Sequence, residues 1–344
     1  SGRHHPLYIC GPHAEAEEGD EGARMGKINI VQAINDALSS EMARDSSVIV
    51  IGEDVGKDGG VFRATQGLLD RFGPQRIIDT PLSELGLVGT AVGLAAYGMK
   101  PVVEIQFMGF LYAGLEQVFS HASRIRSRSR GRFTCPMVIR TPYGIGIKPP
   151  ELHSESTEAL FCHMPGVKVV VPSNPYNAKG LLISAIRDPD PVIFLEASRL
   201  YRSIKSDVPD GEYTVPLGQA EILQEGSDIT VVAWGTMVHK AAEAAVDFDC
   251  EIIDLLTLRP YDEEAVIRSV KKTGRLVVVY EATRFGGFGA EVSAMVAEEA
   301  MEHLKGPILR VAAPDAVIPM ARLEDDYMPS IERIKKAYAT VMEY

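Results

Sequence analysis

The chain reads as an α/β protein built from two doubly wound domains, and three observations predict it. Short β-branched or apolar runs alternate with segments of helical periodicity along nearly the whole sequence, the pattern of a mostly parallel sheet covered by helices. A polar, turn-rich stretch, "RSIKSDVPDGEYTVPLGQ", interrupts that alternation after Tyr201. The 344 residues, 46% of them hydrophobic, exceed one typical domain and suffice for two cores.

Taken in order, apolar positions recur at helical spacing over 28–44, and "SSVIVIGEDVG" then gives a strand that Gly52 stops. "RIIDT" is a second strand, followed by the helix "LSELGLVGTAVGLAAYG", whose small or apolar residues on every side predict burial. "KPVVEIQF" follows as a strand, then a helix around 109–131, the strand "CPMVIRTP" and a Gly- and Pro-rich loop over 142–157. "GVKVVVPS", a helix at 175–188 and "PVIFLEA" complete a first unit, 25–205. The second unit, 206–344, opens on the linker and continues with "DITVVAWG", a helix at 237–247, "CEIIDLL" and a helix at 262–272. It closes with "GRLVVVYEA", a helix at 289–304, "GPILRVAA" and a C-terminal helix near 329–343. Residues 1–24 show neither periodicity nor a signal-peptide apolar region and read as a disordered leader or tag, with His4 and His5 as tag remnant.

Composition excludes several classes of partner. With 35 Lys+Arg against 47 Asp+Glu the formal charge is −12, which repels nucleic-acid backbones and anionic membranes. No apolar run approaches the roughly 20 residues that span a bilayer. Cys10, Cys135, Cys162 and Cys250 contain no CxxC pair, so spacing encodes neither a disulfide framework nor a zinc site. A reducing cytosol or organelle matrix fits this cysteine usage.

Several residues have both a plain and a chemical reading. Glu84 follows Ser83, a good N-cap, so its carboxylate either complements the helix dipole or does chemistry. That helix offers water no polar face, and an unpaired carboxylate there is costly. Glu53 and Asp54 follow a predicted strand end, where ligands collect in open α/β sheets, or simply decorate a solvated loop. His153 lies in the loop "GIGIKPPELHSES" as incidental surface or as a proton-transfer group, whereas His121 and His163 read as packing residues. Phe107, Phe110 and Tyr112 follow another strand end, where an aromatic ring stacks on a flat ligand or fills the core. "RFGGFGAEVSA" lacks G-x-G-x-x-G and reads as a tight turn. The arginine cluster "RIRSRSRGR" meets an acidic surface or is a solvated helix end.

Together, "IGEDVG", "RIIDTPLSELGLVGTAVGLAAYGMKPVVEIQF", "LHSES", "HMPGVKVVVPSNPYNAKGLLISAIRDPDPVIFLE" and "TLRPYD" resemble the beta subunit of the thiamine-diphosphate-dependent decarboxylating component of 2-oxoacid dehydrogenase complexes. The resemblance runs from about residue 27 to the end, with long blocks agreeing in order and spacing. It implies a pyrimidine-binding domain followed by a transketolase-type C-terminal domain. Glu84 matches the glutamate that hydrogen-bonds the aminopyrimidine of the cofactor and promotes the imino tautomer that deprotonates the thiazolium. Phe110 aligns with the aromatic that stacks on the pyrimidine and is Phe in pyruvate members, while Gln106 resembles the branched-chain pattern. Glu53 corresponds to an acidic residue near the cofactor, and His153 to a histidine of the active-site channel implicated in proton transfer or reductive acylation of a lipoyl group.

The same resemblance implies a structural potassium site at Met137, Ala185, Ile186, Asp188 and Asp190, with Asp190 in place of the commoner Asn. No GDG motif followed by Asn is present, so Mg2+ and the diphosphate would be held by an alpha subunit, in an alpha2beta2 heterotetramer docking on a lipoyl acyltransferase core. The substrate implied is a 2-oxo acid, branched-chain first and pyruvate next. Two rivals remain at this stage. A transketolase-like enzyme on sugar phosphates would need basic residues in 142–157, where only Lys148 occurs, and a decayed scaffold would not need Glu84 and His153.

Overall fold

The computed structural model describes residues 25–344, so the expected leader over 1–24 lies outside the described residues. Its strands are β1 Met25–Ile28, β2 Val48–Gly52, β3 Ile77–Asp79, β4 Lys100–Glu104, β5 Val138–Tyr143, β6 Lys168–Val170 and β7 Val192–Ala197, followed by β8 Ser206–Pro209, β9 Glu221–Gln224, β10 Ile229–Ala233, β11 Cys250–Asp254, β12 Thr257–Arg259, β13 Leu276–Thr283 and β14 Leu309–Ala313. One sheet has the order β12-β6-β7-β5-β4-β2-β3 and another β14-β13-β10-β11-β9, parallel except for the edge strands β12 and β9. This is the predicted α/β arrangement with two sheets. Strands β2, β5, β7, β10 and β11 are buried at every residue, as mostly apolar runs covered on both faces should be.

Helices cover these sheets with the predicted stripes. The helix Ile30–Arg44 starts on a capping box in which Asn29 and Gln32 satisfy each other's backbone amides, and it buries Ile30, Ile34, Ala37 and Leu38. It packs along Pro175–Arg187, where buried Glu41 meets Arg187 and buried Lys179 meets Asp36 at 2.6 Å. Among the described residues no helix is long and apolar enough to cross a membrane.

Three local expectations are corrected. The expected 109–131 helix is broken into a 3-10 turn Met108–Gly114, a wide turn Gln117–His121, a short turn Ala122–Arg124 and the single helical turn Ile125–Arg128. A Cβ on Gly109 would sit 2.2 Å from the carbonyl oxygen of Leu152, so the chain bends there to let the following loop approach. The helix Glu84–Ala96 is not buried on all sides: Leu87, Val88, Ala91 and Ala95 face inward, while Leu85 and Tyr97 are exposed. Finally, the stretch read as a linker contains β8, which pairs antiparallel with β1.

The two sheets share a seam. β12, which follows three strands of the second sheet in sequence, adds antiparallel to β6 at the edge of the first, with Thr257 opposite Val170. Side-chain hydrogen bonds cross between the halves, among them Trp234 Nε1 donating to Glu158 Oε1 at 3.2 Å, the Ile145 amide to Glu281 Oε1 at 2.5 Å, Asn177 Nδ2 to Glu221 Oε2 at 2.6 Å and the Ser173 hydroxyl to Asp254.

Candidate active site at the carboxyl edge of the first sheet

The carboxyl ends of β2 and β4 deliver the candidate residues. Directly after β2, Glu53 is 7% exposed and its Oε1 is buried with no hydrogen-bond partner. Burial raises its carboxyl above the usual range, and the charges of Glu84 and Asp54 push the same way, while the Ser83 backbone amide pulls against them. Asp54 holds a positive φ of 58° and accepts a 3.3 Å hydrogen bond from Gln106, which follows β4. That contact ties the two strand ends together.

Glu84 is the first residue of its helix, set there by the Ser83 side chain, which accepts from the Gly86 amide at 3.3 Å. Its carboxylate is half-buried and, among the described residues, has neither a hydrogen-bond nor an ion-pair partner. In the single chain the helix start that carries it lies at a partly open surface. The turn carrying Phe110 closes on it, since a Cβ on Gly114 would lie 3.2 Å from the Glu84 carbonyl oxygen.

His153 joins these residues from the Gly- and Pro-rich loop. Its ring packs edge-on against Phe107 at 4.5 Å and Phe110 at 4.9 Å between centroids, and Phe107 meets Phe62 at 5.7 Å. His153 Nδ1 is buried without a partner. Glu53, Glu84, Gln106, Phe110 and His153 thus come from strand ends, a helix start, a turn and a loop that converge at one sheet edge. An orphaned carboxyl oxygen, a free carboxylate and an aromatic wall suit a flat heterocycle with ring nitrogens and an exocyclic amine. They offer nothing to a diphosphate, which needs cations or amides.

The expected potassium set is also brought together, at the opposite edge, but its oxygens are engaged. Asp188 is paired with Lys168, Asp190 Oδ1 accepts from Arg126 Nε at 2.6 Å, and Asp188 Oδ1 accepts from the Asp190 amide at 2.9 Å. The Met137 carbonyl accepts from Val192 at 3.0 Å and the Ala185 carbonyl from Asp188 at 3.3 Å, while Ile186 is buried in the same helix. Within the chain the two carboxylates are thus engaged in internal ion pairs. Among the described residues no cluster of His, Cys, Asp and Glu could hold a metal ion.

Sequence reasoning missed two sets of buried charges. Arg140, 2% exposed, lies between Glu104 and Glu196, donating to both Glu196 oxygens at 2.8 Å, and Tyr201 donates to Glu196 at 2.6 Å. At the seam, burial pushes Glu158 to about 7 and Glu281 and Asp254 to about 8, and among the described residues no cation is paired to them. For all of these except Glu158 the signal was available as charge inside an apolar run: one residue each in "VVEIQ", "MVIRTP", "IFLEA" and "VVVYEA", and two in "EIIDLL".

Comparison with known proteins gives two family matches, the transketolase pyrimidine-binding domain over residues 26–203 and the transketolase C-terminal domain over 218–334. The chain is 47% identical over 325 residues to the pyruvate dehydrogenase E1 component subunit beta of Bacillus subtilis (strain 168), covering 93% of this chain and 100% of that protein. It is 48% identical over 315 residues to the protein of the same name from Acholeplasma laidlawii, covering 90% and 96%. Among solved structures, a split-gene transketolase described as an inactive beta4 tetramer superposes with a TM-score of 0.76 at 22% identity, over 92% of this chain and 99% of that one, which supports the fold.

Proposed function

This chain belongs to the family of beta subunits of the E1 component of 2-oxoacid dehydrogenases, and from that premise we propose that it contributes the aminopyrimidine half of a thiamine-diphosphate site, completed by an alpha subunit. Bound thiamine diphosphate would supply the nucleophilic carbon and the electron sink for loss of carbon dioxide from a 2-oxo acid. The chain's own part is proton handling and orientation. Glu84 is placed to share a proton with a ring nitrogen of the heterocycle. Glu53, beside it in charge, favours its protonated form, so the pair holds one proton more readily than two unpaired surface acids would. Phe110 provides a face for the ring and Gln106 orients the strand end, while His153 holds a nitrogen toward the channel.

The observation that carries this reading is the unpaired Glu84 carboxylate beside the orphaned Glu53 oxygen and the Phe107–Phe110–His153 cluster. The absence of a GDG motif leaves Mg2+ and the diphosphate to the alpha subunit, in an alpha2beta2 assembly that passes its acyl group to the lipoyl group of an acyltransferase core. The exposed face of the Glu84–Ala96 helix, with Leu85 and Tyr97, is the subunit-facing surface in this reading. A cytoplasmic, reducing location accords with the cysteine usage.

Pyruvate is the substrate we favour, because the relatives at 47% and 48% identity are named for it and Phe110 matches the pyruvate pattern. Gln106 supports a second reading, a branched-chain 2-oxo acid. With the chain co-expressed with its alpha subunit, turnover of pyruvate against 3-methyl-2-oxobutanoate decides between them. In the same assembly Glu84→Gln should lower decarboxylation about 10²–10⁴-fold, the usual yield of one positioned proton-transfer group. Full activity in that variant would end the reading in favour of a scaffold role.

A further inference from the structure

The amino edge of the first sheet carries a cavity of about 620 Å³, and the reading above makes no use of it. Lys168, the first residue of β6, and Asp190, two residues ahead of β7, place it at the end of the sheet opposite Glu53 and Gln106. Six-residue strands at roughly 3.3 Å per residue put the two edges about 20 Å apart.

Charge sets this cavity apart. Arg124, Arg126, Arg128, Lys168 and Arg259 line it together with a single carboxylate, Asp190, in a chain of net charge −12. Asp190 is taken by Arg126, and Lys168 is taken by Asp188. Among the described residues Arg124, Arg128 and Arg259 make no ion pair, so three guanidinium charges converge on one concavity without compensation.

Two of the three are held in position. Arg124 donates from Nε to the Phe119 carbonyl at 2.8 Å, and Arg128 donates from Nη1 to the Ser120 carbonyl at 2.5 Å. A guanidinium has five N–H donors in a planar fork that matches phosphate oxygens, and one bond to a carbonyl, with a long 3.9 Å contact from Arg124 Nη2 to Met164 Sδ, leaves most of them free. Met164, Pro165 and Pro260 add an apolar wall. The volume lies within the range of small-ligand sites.

We propose that this cavity binds a small molecule carrying two or more phosphate groups, its charged end on Arg124, Arg128 and Arg259 and its remainder against Met164 and Pro260. Nucleic acid is disfavoured as occupant, because the rest of the molecule is acidic and repels a long phosphate backbone. The proposal does not depend on the thiamine-diphosphate reading, since no residue is shared between the two edges.

The test titrates adenosine 5′-diphosphate by calorimetry into the assembled complex already saturated with thiamine diphosphate and Mg2+, so that the catalytic site is filled. One saturable site per chain is expected, weakening as salt is raised. Loss of a charge-assisted contact from each arginine should raise Kd at least about tenfold in the double variant Arg128→Gln/Arg259→Gln. Because Arg259 ends a strand, Arg124→Gln serves as an independent variant, with melting curves confirming that each is folded. Absence of saturable binding, or binding unchanged in the variants, overturns the proposal. Binding to the free chain that vanishes on assembly also overturns it, and assigns the groove to an acidic segment of a partner subunit.

Discussion

Two groups of buried carboxylates in this molecule solve the same problem in opposite ways. Inside the first sheet, Glu104 and Glu196 share the buried guanidinium of Arg140, each oxygen of Glu196 facing an N–H at 2.8 Å. At the seam between the sheets, Glu158, Asp254 and Glu281 have hydrogen bonds but no cation, and burial drives their titration up to about 7 or 8. A buried acid must be paired or protonated, and this chain uses both answers within one fold. Half-buried Glu84 and the buried Glu53 beside it are a third, intermediate case: among the described residues neither meets a cation, which leaves them open to a partner from outside the chain.

The largest expected effect breaks the paired group. Arg140→Met leaves two carboxylates in the core without a counter-charge and should destabilise the fold by about 3–5 kcal/mol, measured by urea denaturation. A wild-type midpoint in that variant would mean that Glu104 and Glu196 are held neutral like the seam acids, and the contrast would vanish.

A smaller effect sharpens the contrast through pH. Glu281 titrates near 8 in the folded chain, against an ordinary value of 4.5, so between those values the folded state binds more protons than the unfolded one. Stability from this group is then full below about pH 4.5, declines as pH rises and is lost above about 8, with a slope of at most about 1.4 kcal/mol per pH unit. Glu281→Gln, which imitates the protonated acid, should cost under about 1 kcal/mol at pH 6 and flatten part of the fall in stability between pH 6 and 8. An unchanged slope in the variant would remove Glu281 from the account.

The smallest effect concerns the amino edge. With Asp188 and Asp190 satisfied by Lys168 and Arg126, replacing KCl by NaCl should move Tm by less than about 1 °C. A clear rise in Tm specific to potassium would show that the ion displaces these cations and would support the site implied by the resemblance.

How far these features could be read from sequence depends on their range along the chain. The long apolar runs of β2, β5, β7, β10 and β13, and the helix over Pro175–Arg187, are legible because burial on both faces leaves a local imprint. Edge strands β8, β9 and β12 are short and partly polar, and what makes them strands is a neighbour elsewhere in the sequence. Gly109 broke the expected helix for a similar reason, its need being set by Leu152. Candidate site residues such as Glu84 and His153 stood out only through the family resemblance of the blocks around them, their local patterns being equally those of a helix cap and a surface loop. The pairings Lys168–Asp188 and Arg126–Asp190 did not, since no spacing relates them.

Strand β12 carries a consequence for how the molecule can move. Because the second half lends its Thr257–Arg259 backbone to the edge of the first half's sheet, the two are woven together and not hinged. Opening between them would mean unzipping a ladder and uncovering three unpaired acids, so whatever breathing accompanies turnover is left to loops and to neighbouring subunits.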